Sequence, residues 1–361
     1  MPDARLRIAV AGAGMIGRRH AELIRQRADC VLAAVVDPAP AAADYARTLD
    51  APPFASLGEV LAAAALDGVV LATPNQLHAA QALECIAARV PVLVEKPIAD
   101  TVDAAQMLCE AADAAGVPVL VGHHRRHGAI IAKAAEIIAA GTLGRIVAVV
   151  GTALFYKPES EGYFDEAWRR ERGGGPILIN MIHEIDNLRA LCGEIVAVQA
   201  FSSNATRRFA VEDTAAIALR FAAGALGTFM LSDTAASDRS WEHTSGEDAR
   251  YRKAHTDADD CYLIAGTHGS LAVPTMRIER YADARHRSWH EPFVKSTAPL
   301  DVVDPLARQL AHFCDVIRRR ATPLVSARDG LRNLEIVAAI GEAARSGVVV
   351  STASPENAQP S

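Results

Sequence analysis

The sequence is short of lysine, of long apolar runs and of clustered charge. Of 37 basic residues only five are lysine (Lys96, Lys133, Lys157, Lys253 and Lys295), and the rest are arginine. No apolar run approaches the ~20 residues that cross a bilayer, so no membrane span is expected. Basic residues are scattered through a chain of net charge −6. Phosphate backbones need a clustered basic face, so nucleic acid is not expected as the main partner. Among Cys30, Cys85, Cys109, Cys192, Cys261 and Cys314 there is no C-x-x-C pair. Buried free thiols in a reducing cytoplasm are the expectation. The opening residues run straight into a strand pattern, with neither the layout nor the cleavage site of a signal peptide. No internal repeat is visible.

What is present bounds the answer further. At ~100–200 residues per domain, 361 residues suggest two domains or three. Half the residues are hydrophobic and 22% are charged. A large core is therefore feasible and disorder is not expected. Alanine, roughly a fifth of the chain, favours helices.

Residues 6–122 alternate short apolar runs with segments of helical spacing. The runs at 6–11, 31–36, 68–72, 91–94 and 117–121 read as strands. Helices are expected over 15–27, 39–49, 57–65, 77–88 and 102–115. Ser56 is placed to cap the third helix and Gly116 to close the fifth. Apolar strands alternating with helices indicate a parallel sheet covered on both faces. After Gly122 the pattern changes. One helix, 130–140, is followed by strands at 146–155, 196–203, 215–221, 226–231, 261–266, 270–273 and 277–281. Turns at Ala222-Ala223-Gly224 and Thr267-His268-Gly269 suggest hairpins and an antiparallel sheet. A helix over 177–191 interrupts them, residues 235–260 read as a polar surface loop, and helices over 305–319 and 327–346 close the chain.

The first strand ends in Gly12-Ala13-Gly14-Met15-Ile16-Gly17, a G-x-G-x-x-G that opens a helix. The first glycine permits the tight turn, the second lets backbone approach a pyrophosphate, and the third lets helix and strand pack closely. The free N–H groups of the helix start complement phosphate charge. Asp37 ends the second strand, 20 residues after Gly17. A carboxylate there accepts from both ribose hydroxyls and repels a 2′-phosphate, which favours NAD over NADP; Arg18 and Arg19 are the residues that would assist a 2′-phosphate instead. The bland alternative is a glycine-rich turn without a ligand.

In an open parallel sheet, ligands bind outside the carboxyl ends of the strands. Thr73-Pro74-Asn75 with His78 and Glu95-Lys96-Pro97 follow the third and fourth of these strands, so they are expected at the nicotinamide end. A cis Pro97 would hold Lys96 in one aim. A lysine there can donate to a hydroxyl or carbonyl oxygen and stabilise alkoxide character. Arginine stays charged near neutral pH and cannot exchange that proton, whereas lysine can once its pKa is lowered, so lysine at position 96 of an arginine-rich chain points to proton chemistry. The second constellation follows Gly173-Gly174-Gly175: Asn180 and His183 lie three apart on one helical face. By itself a histidine on an apolar helix is more often a satisfied core residue than a catalyst.

These residues together resemble the glucose-fructose oxidoreductase, inositol dehydrogenase and rhizopine-catabolism (Gfo/Idh/MocA) family. The resemblance rests on Gly12–Gly17, on Ala72-Thr73-Pro74-Asn75 with His78, on Glu95-Lys96-Pro97, and on Gly173–Gly175 followed by His183-Glu184-Ile185-Asp186. It continues through Gly266-Thr267-His268-Gly269-Ser270 into the closing helices. It implies an α/β chain with an N-terminal Rossmann dinucleotide-binding domain (1–122). A C-terminal α+β domain with an open, mostly antiparallel sheet (123–350) would bind substrate and oligomerise, and 351–361 would form a flexible tail. It also implies bound NAD(P) and a homodimer or homotetramer paired through the C-terminal sheets. Lys96 and His183 correspond to the family's active-site lysine and histidine. The family often has an aspartate four residues before that histidine; this chain has Ile179, and Asn180 is the neutral substitute that would orient substrate. His124 and Arg125 are candidates to reach cofactor or substrate. Tyr156, Tyr163, Trp168 and Arg169 are candidate walls of the pocket, and Trp241, Glu242 and His243 are candidates to reach a partner subunit's site. No metal is expected, because the histidines at 123, 124 and 127 have no neighbouring cysteine or carboxylate in sequence.

The expected activity is hydride transfer between nicotinamide C4 and a secondary hydroxyl or ketone of a sugar, polyol, inositol or cyclic hydroxy acid. Lys96 and His183 would share the proton. An NADPH-preferring keto-sugar or imine reductase is the alternative within enzymes; a catalytically silent NAD-binding sensor or scaffold is the alternative outside them.

Overall fold

A computed structural model describes residues 4–171, 173–248, 250–251, 260–283, 285–301 and 303–352. The chain divides into two compact units: residues up to His124 together with Leu306–Leu334, and Arg125–Pro305 together with residues from Glu335. The first crossing lies two residues past the expected boundary at 122. The return of Leu306–Leu334 to the first unit departs from the expectation that 123–350 form one domain.

The first unit begins β1 (Leu6–Ala11), α1 (Met15–Gln26), β2 (Cys30–Val36), α2 (Pro40–Thr48), β3 (Pro53–Phe54) and α3 (Leu57–Ala63). It continues β4 (Gly68–Leu71), α4 (Asn75–Ala87), β5 (Val92–Val94), α5 (Val102–Ala115) and β6 (Val119–Val121). The six strands lie in the order β3-β2-β1-β4-β5-β6, and every pair is parallel. Every residue of β4 and β5 is buried, as expected for strands covered on both faces. The expected caps are present: Ser56 Oγ accepts from the Glu59 N–H at 3.4 Å, and Gly116 closes α5 at φ +63°. The order reverses between β1 and β4, which creates the crevice where such sheets bind ligands.

The second unit contains α6 (Ala129–Ala139), β7 (Ile146–Leu154), α7 (Pro176–Ile179), α8 (Met181–Cys192), β8 (Ile195–Ser203), β9 (Thr214–Phe221), β10 (Leu226–Ser232) and α9 (Trp241–Thr244). After these come β11 (Tyr262–Gly266), β12 (Gly269–Val273), β13 (Arg277–Tyr281) and β14 (Phe293–Thr297). Then α10 (Pro305–Ile317) leads back to the first unit, and α11 (Ala327–Ser346) runs from the first unit into the second, ahead of β15 (Val350–Ser351). The nine strands lie in the order β14-β13-β12-β11-β7-β10-β9-β8-β15. Only β7–β10 is parallel. Inward residues such as Ile217, Leu219, Phe221, Phe229 and Ile264 share a core with Ile130, Ile185, Leu188 and Ile340 of the covering helices. The other face is exposed and carries Val150, Leu263, Met230 and Phe201.

Four sequence expectations need correction. The helix over 177–191 is interrupted at Asn180, which separates α7 from α8. The supposed polar loop carries α9, with Trp241 buried. Ser351 is not frayed: β15 pairs with β8, and Thr352 Oγ1 donates to the Ile195 carbonyl at 2.6 Å. The rest of the expected tail, 353–361, lies outside the described residues. Strands β3, β14 and β15 were not anticipated.

The returning segment completes the first unit. Leu310, Phe313 and Cys314 are fully buried in one core with Ile8, Val10, Leu32, Val70, Leu93 and Leu120. A Cβ at Gly68 would lie 2.7 Å from Ile317 Cδ1 and 3.1 Å from Phe313 Cε1, so α10 packs closely over β4 at this glycine. Residues 325–326 also cover the β6 edge, where the Val121 N–H donates to the Val325 carbonyl at 2.9 Å. Phe313→Ala is therefore expected to destabilise the first unit by about 3–5 kcal/mol, read as a lower urea midpoint for loss of that unit's signal.

Candidate functional site

In the first unit the working residues gather where β1, β4 and β5 end. Gly12 sits at φ +92°, and a Cβ there would lie 2.4 Å from the Ala72 carbonyl oxygen. A Cβ at Gly17 would lie 1.9 Å from the Gly12 oxygen. Both glycines are demanded by the crossing of α1 over the strands. Gly14 differs: among the described residues, nothing beyond its own chain neighbours and helix backbone lies within 4 Å of a Cβ there. Gly14 also caps α1 without a side-chain acceptor, so the helix start is open to an external anion. Asp37 accepts from the Ala13 N–H at 2.8 Å and from the Ala39 N–H at 2.9 Å, which places its carboxylate against the loop. Met15 is largely exposed and Ile16 half-buried. Asn75 Oδ1 is buried with no hydrogen-bond partner among the described residues. Open space at Gly14, an uncapped helix start, a carboxylate at the loop and an orphaned acceptor at Asn75 all fit a dinucleotide. Gly12–Gly17, Asp37 and Asn75 are the residues that would hold it.

Two neighbours play other parts than expected. His78 is buried, with its ring nitrogens 2.7 Å from the Pro97 carbonyl oxygen and 2.9 Å from that of Thr73. Burial lowers its pKa despite these contacts. It braces the loop after β4 against the loop after β5, with both ring nitrogens engaged by backbone. Glu95 is likewise buried and accepts from, or shares a proton with, His20 Nε2 at 2.8 Å. Burial pushes its carboxyl up, but the His20 contact and the charges of His20, His124 and Lys96 outweigh this and hold it below its usual range. Thr73 Oγ1 donates to Gln81 Oε1 at 2.6 Å, and Pro74 caps α4. Lys96 is half-buried, and its peptide bond to Pro97 is cis. His124 opens a short 3-10 turn after β6.

The second unit holds the other expected residues. A Cβ at Gly174 would lie 2.1 Å from the Trp168 carbonyl oxygen, and one at Gly175 would lie 2.3 Å from Glu212 Oε1. The glycines thus let the 168–171 segment and Glu212 close in. Glu212 accepts from the Ile177 N–H at 2.8 Å and so caps α7. Asn180 stands at the break, and its carbonyl accepts from the His183 N–H at 3.1 Å. His183 is buried in α8. Arg169 donates to the Tyr163 carbonyl at 2.6 Å, and its guanidinium lies 4.2 Å from the Tyr163 ring centre and 5.3 Å from that of Trp168. Tyr156 is exposed, with Arg207 5.7 Å from its ring centre.

Two features escaped the sequence reading. The first is Lys157: its Nζ donates to Asn180 Oδ1 at 2.8 Å and lies 3.3 Å from the Tyr163 hydroxyl. Burial lowers its pKa to about 8; Arg207 and Arg169 add to the fall, while Asp233 and Glu242 oppose it. The scarcity of lysine, which singled out Lys96, was the available signal. The second is the network around Arg125. This residue, expected at the cofactor, is 4% exposed, with Nη1 2.6 Å from Glu184 and Nη2 2.8 Å from Glu242. Burial opposes its charge, but Glu184 and Glu242 hold it protonated. The Trp241 ring centre lies 5.1 Å away, and the Tyr262 hydroxyl donates to Glu184. Arg125 is therefore a structural centre, and Trp241 and Glu242 serve their own unit. Of possible metal groups among the described residues, Asp29, Cys30 and Cys314 cluster, but Arg27 and Arg318 already pair with Asp29 at 2.9 and 3.1 Å.

Comparison with known proteins agrees with this architecture. Residues 6–123 match the GFO/IDH/MocA oxidoreductase family, NAD-binding Rossmann fold, and residues 131–272 match the GFO/IDH/MocA C-terminal domain. The chain belongs to this family. It is 30% identical over 301 residues to 1,5-anhydro-D-fructose reductase of Ensifer adhaerens, covering 81% of each chain. It is 24% identical over 335 residues to inositol 2-dehydrogenase of Rhizobium meliloti, covering 92% of this chain and 94% of that one. Among solved structures, the WlbA dehydrogenase of Bordetella pertussis, in complex with NADH and UDP-GlcNAcA, superposes with a TM-score of 0.77 at 27% identity. That match covers 96% of this chain and 98% of that one. The chain is thus an NAD-binding oxidoreductase.

The two loop glycines separate folding from binding. Gly14→Ala is expected to leave the melting temperature unchanged and to weaken NADH binding at least about tenfold, by protein-fluorescence quenching. Gly17→Ala is expected to lower the melting temperature as well. A pH effect follows from Glu247, which accepts from Trp241 Nε1 at 3.0 Å. Burial pushes its carboxyl up to about 7, with Trp241 and Arg125 opposing. The folded state therefore binds this proton more tightly than the unfolded chain, and stability falls as pH rises from ~4.5 to 7. Glu247→Gln keeps the acceptor and is expected to flatten that slope, raising the melting temperature at pH 8 relative to pH 5.

Proposed function

We propose that the chain transfers hydride reversibly between nicotinamide C4 of NAD and a secondary hydroxyl or ketone of a sugar, polyol, inositol or cyclic hydroxy acid. The observation that carries this reading is Lys96, set by its buried neighbour Glu95 at the carboxyl end of β5, next along the sheet to the strand that leads into the orphaned Asn75 acceptor. The names of the relatives, 1,5-anhydro-D-fructose reductase and inositol 2-dehydrogenase, support the substrate class.

Bound dinucleotide supplies the hydride acceptor. The chain's own task is the proton on the reacting oxygen. In the oxidative direction the substrate C–H bond delivers its electron pair as hydride, and the O–H proton passes to Lys96 or His183. In reduction the same two residues return a proton to the oxyanion. Lysine at position 96 can exchange a proton as arginine cannot. Asn180 orients the substrate through its amide. His124, Tyr156, Trp168 and Arg169 are the further candidates for substrate contact.

We also infer a homo-oligomer formed through the exposed sheet face, on which Val150 pairs across from Leu263 and Met230 lies opposite Ala216. Flat apolar surface of this kind is a common association face. Six free buried cysteines are consistent with a reducing cytoplasm. Among the described residues no helix is long and apolar enough to cross a membrane.

The test is a panel of myo-inositol, aldoses and hydroxy acids with NAD, and of 1,5-anhydro-D-fructose with NADH and NADPH. Turnover with NAD(H) is expected, and Lys96→Ala is expected to lose about 10²–10⁴-fold in kcat while still binding NADH. Full turnover by Lys96→Ala would sink the mechanism. Tight NADH binding without turnover by the wild type would point instead to a sensor. Met230→Glu is expected to reduce the mass found by light scattering.

A further inference from the structure

Lys157 is a costly residue to bury, because desolvation penalises its charge. Its side chain is 17% exposed, and its ammonium lies over the Tyr163 ring, 4.5 Å from the centre. A structural ion pair is the ordinary reason for such a lysine, and the one here is long. Its carboxylate partner, Asp233, stands 3.9 Å away and is shared with Arg207, which is closer at 3.1 Å. The short contact is to a neutral amide, Asn180 Oδ1, at 2.8 Å. An ammonium has donors and no acceptor, so it fixes which half of the amide faces it. Asn180 must present Oδ1 to Lys157, and its NH₂ is the half turned to other partners. Asn180 in turn sits at the break between α7 and α8, and its own carbonyl receives the His183 N–H.

We propose that Lys157 is a positioning residue for the reaction: its ammonium locks and polarises the Asn180 amide so that Nδ2 donates to the reacting oxygen of the substrate. The inference rests on the proposed hydride-transfer function. A positively backed amide is a stronger donor than a free one, and it favours negative charge developing on that oxygen. The groups facing Lys157 are Asp233 and Glu242, which hold its proton, Arg207 and Arg169, which repel it, and the Tyr163 hydroxyl. With a pKa lowered to about 8, the backing charge is present at neutral pH and is lost as pH rises through that value.

The rarity of lysine makes the test direct. Protein labelled with ε-¹³C-lysine has five side-chain signals, and Lys157 is identified by the one missing in Lys157→Arg. The expected midpoint is near 8, rising by a unit or more in Asn180→Asp, which places a carboxylate on the ammonium. In 1,5-anhydro-D-fructose reduction with NADH, wild-type kcat is expected to fall above pH 8. Lys157→Met is expected to lose that limb and about tenfold to a hundredfold in kcat, with KM for NADH unchanged. Lys157→Arg is expected to restore part of the rate and to carry the limb beyond pH 10. The Lys157→Met/Asn180→Leu double variant should be no slower than Asn180→Leu alone. A Lys157 midpoint that Asn180→Asp leaves unmoved, or additive losses in the double variant, overturns the inference while leaving the oxidoreductase reading intact. Absence of wild-type turnover across the panel overturns that reading, and this role with it.

Discussion

The contact between His20 and Glu95 holds the first unit's working end together. A buried carboxylate is costly unless it is hydrogen-bonded, and Glu95 meets that demand with a histidine from the buried face of α1. One 2.8 Å contact thus ties the helix that starts at the glycine loop to the strand that ends in Lys96. The space around it is tight. A Cβ at Gly122 would lie 2.8 Å from Glu95 Oε2, so the end of β6 must carry glycine. His78 adds a second brace between the loops after β4 and β5. Lys96 thus lies between two braced neighbours, Glu95 and Pro97.

The second unit follows the same logic with larger charges. His183, Glu184, Asp186 and Asn187 are all buried on one short helix. Glu184 is balanced by Arg125 and Tyr262, Asn187 donates to the Tyr262 hydroxyl at 3.0 Å, and Asp186 pairs with Arg126 at 3.3 Å. Removing one partner from such a network strands a buried charge and is strongly destabilising. The helix that carries His183 is thus fixed on its polar side by ion pairs and on its apolar side by Ile182, Ile185 and Leu188, all fully buried.

Legibility from sequence followed the locality of each constraint. The glycine loop was readable because its spacing is local, with Gly17 answering to the Gly12 carbonyl and Gly12 to its own positive φ, although Gly12 also makes room for the distant Ala72 carbonyl. Helix α5 was placed residue for residue: Gly116 supplies the left-handed stop that the sequence showed, and in the structure the Thr101 hydroxyl accepts from the Ala104 N–H at its start. Strand β14 was missed because all five of its residues are exposed, so it has no apolar alternation to see. The break at Asn180 was hidden because apolar spacing runs on through it. Arg125 was misjudged for a different reason: its partner Glu242 lies 117 residues away, and no spacing rule reports where a guanidinium points. Lys157 was in view, as one of five lysines, but its significance depends on Asn180, 23 residues further on.

The division of α11 has a consequence for how the chain is born. The boundary between units falls inside this helix, between Leu334 and Glu335. Neither unit is a contiguous stretch, so the first unit's core is incomplete when its sheet leaves the ribosome, and the second unit's sheet is itself completed only by β15, near the end of the described chain. The parallel sheet must wait, with the surface meant for Phe313 uncovered, while strands β7 to β14 of the second unit are synthesised. The second unit's sheet must wait in turn for Ile336, Val337 and Ile340, which fill its core. Helix α10 and then α11 thus close the two units late and in succession. The nucleotide-binding half is not a module that can be cut out at residue 124 and expected to stand alone.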